Sequence, residues 1–414
     1  MLPFRLADDL CSLRADVPRL AMVIEMRLDD DNNVVSSKAH EAVILVKENL
    51  AYEETLEDTR WDGMFELADS WQEDELRLNI QNGEQRPRIH GENALSIEVK
   101  WPNRATKMIE TFMVKTNNIV GDMLGKSGAV LPWRCHPMPD STDVQNLNKQ
   151  LEALEISIQL PEPRLKSKGQ DDTDELAGLL GAWAGQDIDL SGLSSKENKN
   201  EIDDYLANVS AQDARDEMLD GLRQAQEQAS ALRSSLRRVV DQGLFQLMNR
   251  ARYDAVNIGH FGLNLDAYAH FTSPIRRYSD IVAHRMVKGK FNSNNNIFSI
   301  IHKCNNGELR SQNAERDYKN LKGLKLLDYK KDDPLNGYVT KIQRSRIIVN
   351  EECSGVDGII LKQHIPQGSY EFHKDMLYMR NKIGSEEFKV GDKITIKVSS
   401  IDIISQTVLF NFKL

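Results

Sequence analysis

Residues 273–280 read Ser-Pro-Ile-Arg-Arg-Tyr-Ser-Asp, and two guanidiniums so close behind a serine–proline pair are chemistry for holding an anion. The pair predicts a helix start at Ser273. Its hydroxyl can accept an orphan backbone N–H, and Pro274 at the first helical position gives up a donor that had no partner. The helix is expected to run through Tyr278 and Ile281 to about Lys290, with Arg276 and Arg277 in its first turn. Cations at that positive end are disfavoured by about 0.3–1 kcal/mol each, so something anionic should offset them. Exposed N–H groups and two guanidiniums suit a phosphodiester, whose oxygens arginine grips in pairs. The alternative is intramolecular pairing of the arginines with Asp280 or Asp266.

The preceding stretch must deliver the chain to that point. Phe261, Leu263, Leu265, Ala267, Ala269 and Phe271 alternate with Gly262, Asn264, Asp266, Tyr268, His270 and Thr272. That period predicts a strand with one buried face. Tyr268, His270 and Thr272 would share its polar face.

Residues 260–285, HFGLNLDAYAHFTSPIRRYSDIVAHR, closely resemble the signature of the RNB catalytic domain of the ribonuclease II / ribonuclease R exoribonucleases. Other segments agree. Met1-Leu2-Pro3, Cys11-Ser12-Leu13 and Arg19 to Met26 resemble the family's MLP…LCSL…R-L stretch, which Ala42-Val43-Ile44 and Leu50-Ala51-Tyr52 continue. Lys107 to Asn117 resembles a family helix written R-I-V-E-E-A-M-I-A-A-N. Arg134-Cys135-His136 with Pro139 resembles an R-x-H-x-x-P turn, with Pro137 where the family usually has aspartate.

The resemblance implies hydrolysis of single-stranded RNA from its 3′ end to nucleoside 5′-monophosphates, with Mg2+ activating the attacking water. Carried over by position, Arg276 is expected to grip the scissile phosphate and Glu110 to help position the terminal nucleotide. Tyr52 falls near the path of the strand. Arg134, His136, Tyr268, His270, Ser273, Arg277 and Tyr278 are the further expected RNA contacts. Leu78 stands where the family can place a stacking phenylalanine.

The family's Mg2+ is held by an aspartate cluster upstream of the MLP segment, as is a clamping tyrosine, and N-terminal cold-shock-type domains precede both. This sequence begins at MLP, so no metal ligand is assigned within it, and an N-terminal polypeptide segment is the expected source of the aspartates. Asp29-Asp30-Asp31 lies between two alternating apolar runs, where Asp and Asn form turns. Asp8-Asp9 reads as a local turn or cap.

A chain of 414 residues with net charge −10 hides an asymmetry, +7 over residues 241–414 against −17 over 1–240. RNA should sit at the basic end, because phosphate neutralisation dominates nucleic-acid affinity. Cys11, Cys135, Cys304 and Cys353 are widely spaced, which argues against structural zinc and fits reduced thiols in the cytoplasm. No long apolar run marks a membrane span. Residues 165–200 have the Gly, Ser and acidic composition of a linker, and helix-like composition returns over 200–252. Gly307 to Lys331 resembles the family's closing helix. Beyond it, short apolar runs at Tyr338–Ile342, Arg346–Val349, Val356–Leu361, Lys393–Ile401 and Thr407–Phe412 predict a small closed barrel. Its order resembles an S1-type OB-fold, with Arg344-Ser345-Arg346 replacing a usual aromatic run; Tyr338, Tyr370, Phe372 and Tyr378 remain stacking candidates or ordinary core and rim aromatics.

The expected fold class is α+β. A partial RNB domain, a mixed sheet with helices, spans 1–331, and an S1-type OB-fold barrel spans 334–414. Two functions fit: an exoribonuclease whose aspartates lie on another segment, or a non-catalytic single-stranded RNA-binding protein on the same scaffold. Central strands supplied from elsewhere would leave apolar surface and unpaired edges on this chain.

Overall fold

Asp29 builds the first tight turn. Its carboxylate accepts the backbone N–H groups of Asp31 and Asn33 at 3.1 and 2.7 Å, while Asn32 takes φ 65°, a left-handed conformation that asparagine tolerates. The turn closes an antiparallel hairpin of β1 (Pro18–Leu28) and β2 (Val34–Leu45). Asp29 to Asp31 therefore form a turn, as their composition predicts. The computed structural model describes residues 2–74, 84–90, 93–154, 156–163, 200–232, 234–291, 296–365, 370–372, 378–382 and 387–412. Leu78 and nearly all of the 165–200 segment lie outside the described residues.

Two short helices, α1 (Tyr52–Leu56) and α2 (Asp62–Asp74), precede a hairpin of β3 (Glu84–His90) and β4 (Asn93–Lys100). Asn103 then starts α3 (Arg104–Lys126) through a reciprocal box. Its side chain accepts the Thr106 N–H, and the Thr106 hydroxyl accepts the Asn103 N–H, both at 2.9 Å. Ala105, Met108, Thr111, Val114 and Asn117 are buried at every third position of α3. This stripe faces the protein interior, and α1 and α2 both pack on α3.

A helical core follows. Leu147 and Leu151 of α4 (Ser141–Ala153), Met218 and Leu222 of α5 (Asn200–Leu232), and Val240 and Leu244 of α6 (Ser234–Leu247) pack together with Phe261. Phe261 is thus the floor on which the signature segment begins. β5 (Trp133–Cys135) pairs antiparallel with β6 (Arg252–Asp254), and beyond the signature come α7 (Tyr278–Val287) and α8 (Ile297–Tyr329). Among the described residues none before Phe65 is buried, although Phe4, Leu20 and Val43 are large and apolar. Leu20 and Val43 face each other across the β1–β2 register and are 87% and 68% exposed.

The C-terminal region closes into a barrel of β7 (Leu335–Gln343), β8 (Arg346–Glu351), β9 (Asp357–Leu361), β13 (Lys393–Asp402) and β14 (Thr407–Phe412), in the order β13-β14-β9-β8-β7. The β14–β9 pair is parallel and the others are antiparallel, which is the OB-fold arrangement. All five predicted strands are present. Three further strands, β10 (Tyr370–Phe372), β11 (Tyr378–Asn381) and β12 (Glu387–Lys389), form a separate small sheet between β9 and β13. Tyr370 and Phe372 pack from this sheet onto the barrel core, as rim aromatics. The same core takes in Leu324 and Leu327 from the end of α8.

Gly358 of β9 lets the Phe410 ring lie against the backbone, because a Cβ there would collide with Phe410 Cε2. Gly358→Ala is expected to lower stability by about 1–3 kcal/mol through overpacking. Urea unfolding would measure it, and an unchanged midpoint would contradict this account of the core.

Candidate functional site

The strand predicted over 261–272 does not form: Phe261–Leu263 is a single 3-10 turn and Asn264 is left-handed at φ 53°. The segment 267–272 belongs to no regular strand and makes one isolated bridge, Ala269 with Trp133. The alternation that predicts a strand has another cause, since the segment is held between β5 on one side and α3 on the other. Arg134 N–H donates to the Tyr268 carbonyl at 2.8 Å from β5. From α3, Asn118 Nδ2 donates to the Ala267 carbonyl at 2.8 Å. Asn117 Oδ1 accepts the N–H groups of Phe271 and Thr272 at 2.9 and 3.1 Å, while its Nδ2 donates to the Tyr268 hydroxyl at 3.0 Å. Gly121 allows this approach, because a Cβ there would lie 3.3 Å from the Ala269 nitrogen. Arg215 and Asp216 of α5 fix the loop before it, through Asp266 at 2.6 Å and Asn264 at 2.8 Å.

The helix start also differs from expectation. Pro274 to Arg276 form a turn, in which Arg276 and Arg277 both donate backbone N–H groups to the Ser273 carbonyl. The chain then re-extends at Arg277, φ −124° and ψ 125°, and α7 begins only at Tyr278. Proline fits the second position of a turn as well as it fits a helix start. Ser273 is consequently not the cap. Asp280, fully buried, reaches back from the first turn of α7, and its Oδ1 accepts both the Ser273 N–H and Arg277 Nη2 at 2.7 Å. The predicted pair of guanidiniums is thereby split. Arg277 is turned inward onto Asp280, the intramolecular alternative, whereas Arg276 is exposed and its side chain has no hydrogen-bond or ion-pair partner among the described residues. Tyr278 is exposed beside it. The Leu2 N–H donates to the Ile275 carbonyl at 3.3 Å, so the first described residues lie against this same turn.

Beneath the turn runs a ladder of edge-to-face rings, His136–His260–Tyr268–His270–Tyr253, with centroids 5.0–5.6 Å apart. Burial, followed by the charges of Arg277 and Arg134, pushes His270 down to about 2. Burial, followed by the charges of His136 and Arg134, holds His260 at about 3. Burial also lowers His136 and raises the Tyr253 hydroxyl to about 12. Tyr253 therefore keeps its proton, and its hydroxyl is hydrogen-bonded to Nδ1 of neutral His270 at 2.7 Å, with the His270 tautomer setting the direction. Ser279 Oγ lies 3.0 Å from the Tyr253 oxygen and 3.1 Å from Asp280 Oδ2, either of which can accept its proton. Near neutral pH these histidines are uncharged, and burial makes them weak bases.

Of the other predicted contacts, Arg134 is held by Glu308 of α8 in a two-pronged pair at 2.7 and 2.8 Å and lies over the Tyr253 ring. His136 is buried, its Nδ1 accepting the Gly262 N–H at 3.0 Å. Glu110 is exposed on α3 two turns before Asn117, and Tyr52 is exposed at the start of α1. Neither is joined to the Arg276 turn by a contact. Asn117, Tyr253, Ser279 and Asn305 were not singled out by the sequence as site residues. Asn305 holds the Tyr253 backbone at both its N–H and carbonyl, each at 2.8 Å. Among the described residues no three His, Cys, Asp or Glu side chains are grouped so as to hold a metal ion. The described residues therefore do not fit a Mg2+ cage.

The profile of the RNB domain matches residues 1–291, well over half of the chain. The chain belongs to the RNB-domain family. It is 28% identical over 438 residues to the ribonuclease R of Thermotoga maritima, covering 97% of this chain and 53% of that protein. The chain thus spans about half the length of the curated relatives it matches. Mycoplasma genitalium RNase R, solved in complex with ribose-methylated single-stranded RNA, superposes with TM-score 0.76 at 20% identity, over all of this chain and 60% of that one. Yeast Ssd1, a pseudonuclease, superposes with TM-score 0.59 at 17% identity over 91% of this chain and 43% of its own.

Two measurements test this RNB site. His260 and His270 have folded-state values far below the unfolded 6.5, so the stability they permit is present above pH 6.5 and is lost as pH falls toward about 3. The urea midpoint is expected to fall steadily between about pH 7.5 and about pH 4.5; a flat profile would contradict the buried neutral ladder. Asp280→Ala strands Arg277 and the Ser273 N–H, and should cost about 3–5 kcal/mol in the same assay.

Proposed function

We propose that this chain is the RNA-gripping portion of a 3′-to-5′ exoribonuclease of the ribonuclease II/R type, acting on single-stranded RNA to release nucleoside 5′-monophosphates in the cytoplasm. The observation that carries the reading is Arg276, an exposed guanidinium with no described partner, presented by a turn whose two ends, Ser273 and Arg277, are both held by Asp280. The held backbone fixes where the side chain begins, and its planar fork can take two phosphate oxygens at once. Glu110, Tyr52 and Tyr278 are the exposed predicted residues that could meet the strand beside it. Arg134, His136, Tyr268, His270, Ser273 and Arg277 support the site from within.

Magnesium, when bound, would supply the activated water, and its ligands are proposed to come from an N-terminal polypeptide segment, on a longer chain or a separate one. Two observations favour that partner: the Leu2 N–H lies against the Ile275 carbonyl, and Phe4, Leu10, Leu20, Val35 and Val43 are exposed. We divide the protein into an RNB portion over 1–331 and an S1-type barrel over 334–414.

A second reading, a non-catalytic binder of single-stranded RNA, is favoured by one corner of the barrel. Lys341, Arg344, Arg346 and Lys362 are exposed there without an ion-pair partner among the described residues, and the Lys362 N–H donates to the Ser345 carbonyl at 3.0 Å. Incubation of an oligoribonucleotide with the chain, an aspartate-bearing segment and Mg2+ separates the two. The enzyme reading expects 5′-mononucleotides released from the 3′ end, reduced at least about tenfold by Arg276→Ala through loss of a phosphate contact. The binder reading expects intact RNA whose log–log salt slope shrinks by about 1.4 in the Arg344→Ala/Arg346→Ala variant, about 0.7 per cation.

A further inference from the structure

Asn117 is a polar side chain in an apolar stripe, 2% exposed, with all of its hydrogen-bonding partners on the far segment 268–272. A buried amide costs stability unless satisfied, and this one is satisfied at three points. Its oxygen takes two consecutive backbone N–H groups, which fixes both the height and the rotation of the chain at Phe271 and Thr272. Its nitrogen takes the Tyr268 hydroxyl, which fixes the ring ladder. One residue later the Ser273 N–H passes to Asp280, and three residues after that comes Arg276. No other α3 side chain reaches so near the turn by a described hydrogen bond; Asn118 holds the segment further back at Ala267.

We infer that Asn117 is a positioning residue that sets Arg276 at its working distance from the α3 face bearing Glu110. The inference rests on the phosphate-gripping role proposed for Arg276. Glu110 and Asn117 are seven residues apart on one helix, about 10 Å along its axis. A rigid helix thus carries one group of the site and, through Asn117, the register of the other. His284 reinforces the arrangement from α7, stacked on Phe271 at 4.0 Å with Nε2 2.9 Å from the Phe271 carbonyl. That bond leaves the two N–H groups to Asn117 alone.

The test is a double-mutant cycle on single-stranded RNA affinity, measured by fluorescence anisotropy well below the unfolding midpoint of each variant. Asn117→Leu keeps the branching of the side chain and removes all three bonds, and is expected to weaken binding about tenfold in the wild-type background and less than about twofold in Arg276→Ala. Asn117→Asp keeps an acceptor for both N–H groups, with the Tyr268 hydroxyl turned to donate, and should stay within about threefold of wild type. A general loss of structure would weaken both backgrounds alike. Arg276→Ala without effect overturns the phosphate-gripping role and this inference together. Arg276→Ala effective, with Asn117→Leu silent or fully additive, overturns the positioning role alone. Should Asn117→Leu fail to fold, Asn117→Ser, whose short hydroxyl cannot serve both amides, enters the same cycle with the same criteria.

Discussion

A backbone that belongs to no sheet must find its hydrogen bonds elsewhere, and residues 267–273 find most of theirs on side chains. Asn118, Asn117, His284 and Asp280 bond five of the segment's backbone groups, the Arg134 N–H of β5 bonds the Tyr268 carbonyl, and the Ser273 carbonyl accepts the Arg276 and Arg277 N–H groups. Buried backbone groups are rarely left unpaired. Each of those side chains is therefore constrained twice, by its own packing and by the segment it serves. The rigidity of the Arg276 turn follows from this arrangement.

Division of labour between the two arginines follows as well. Arg277 neutralises Asp280, whose carboxylate would otherwise be an isolated buried charge. Arg276 is left to face outward. Around Tyr253, burial keeps the hydroxyl protonated and the imidazoles neutral, so the charge state below the turn stays the same across the neutral range.

Much of this was legible in the sequence, and the misreadings have physical causes. The barrel strands stand out because each is a short apolar run bounded by glycine or polar turns, so local pattern and tertiary role coincide. The alternation over 261–272 spans two environments, a 3-10 turn at Phe261–Leu263 whose Phe261 packs in the helical core and a segment 267–272 held between α3 and β5, and periodicity cannot tell these from a sheet. Ser273-Pro274 satisfies the rules of a turn and of a helix start equally. Asp280 decides between them from seven residues away, a long reach for a local rule. Asn117 carried a signal, a polar residue in the stripe of Ala105, Met108, Thr111 and Val114. Its partners, some 150 residues on, did not show. Tyr253 and Asn305 carried none, because their meaning lies wholly in each other.

α8 runs unbroken for 33 residues, about 50 Å. Near its start Ile297 and Ile301 pack with Tyr253 and Val282, further on Asn305 and Glu308 grasp β5 and β6, and at its end Leu324 and Leu327 are built into the barrel core. Barrel and ladder thus share one shaft. The span from Ile301 to Leu324, about 35 Å, is set by helix geometry, so displacing the barrel relative to the ladder requires bending or breaking that helix.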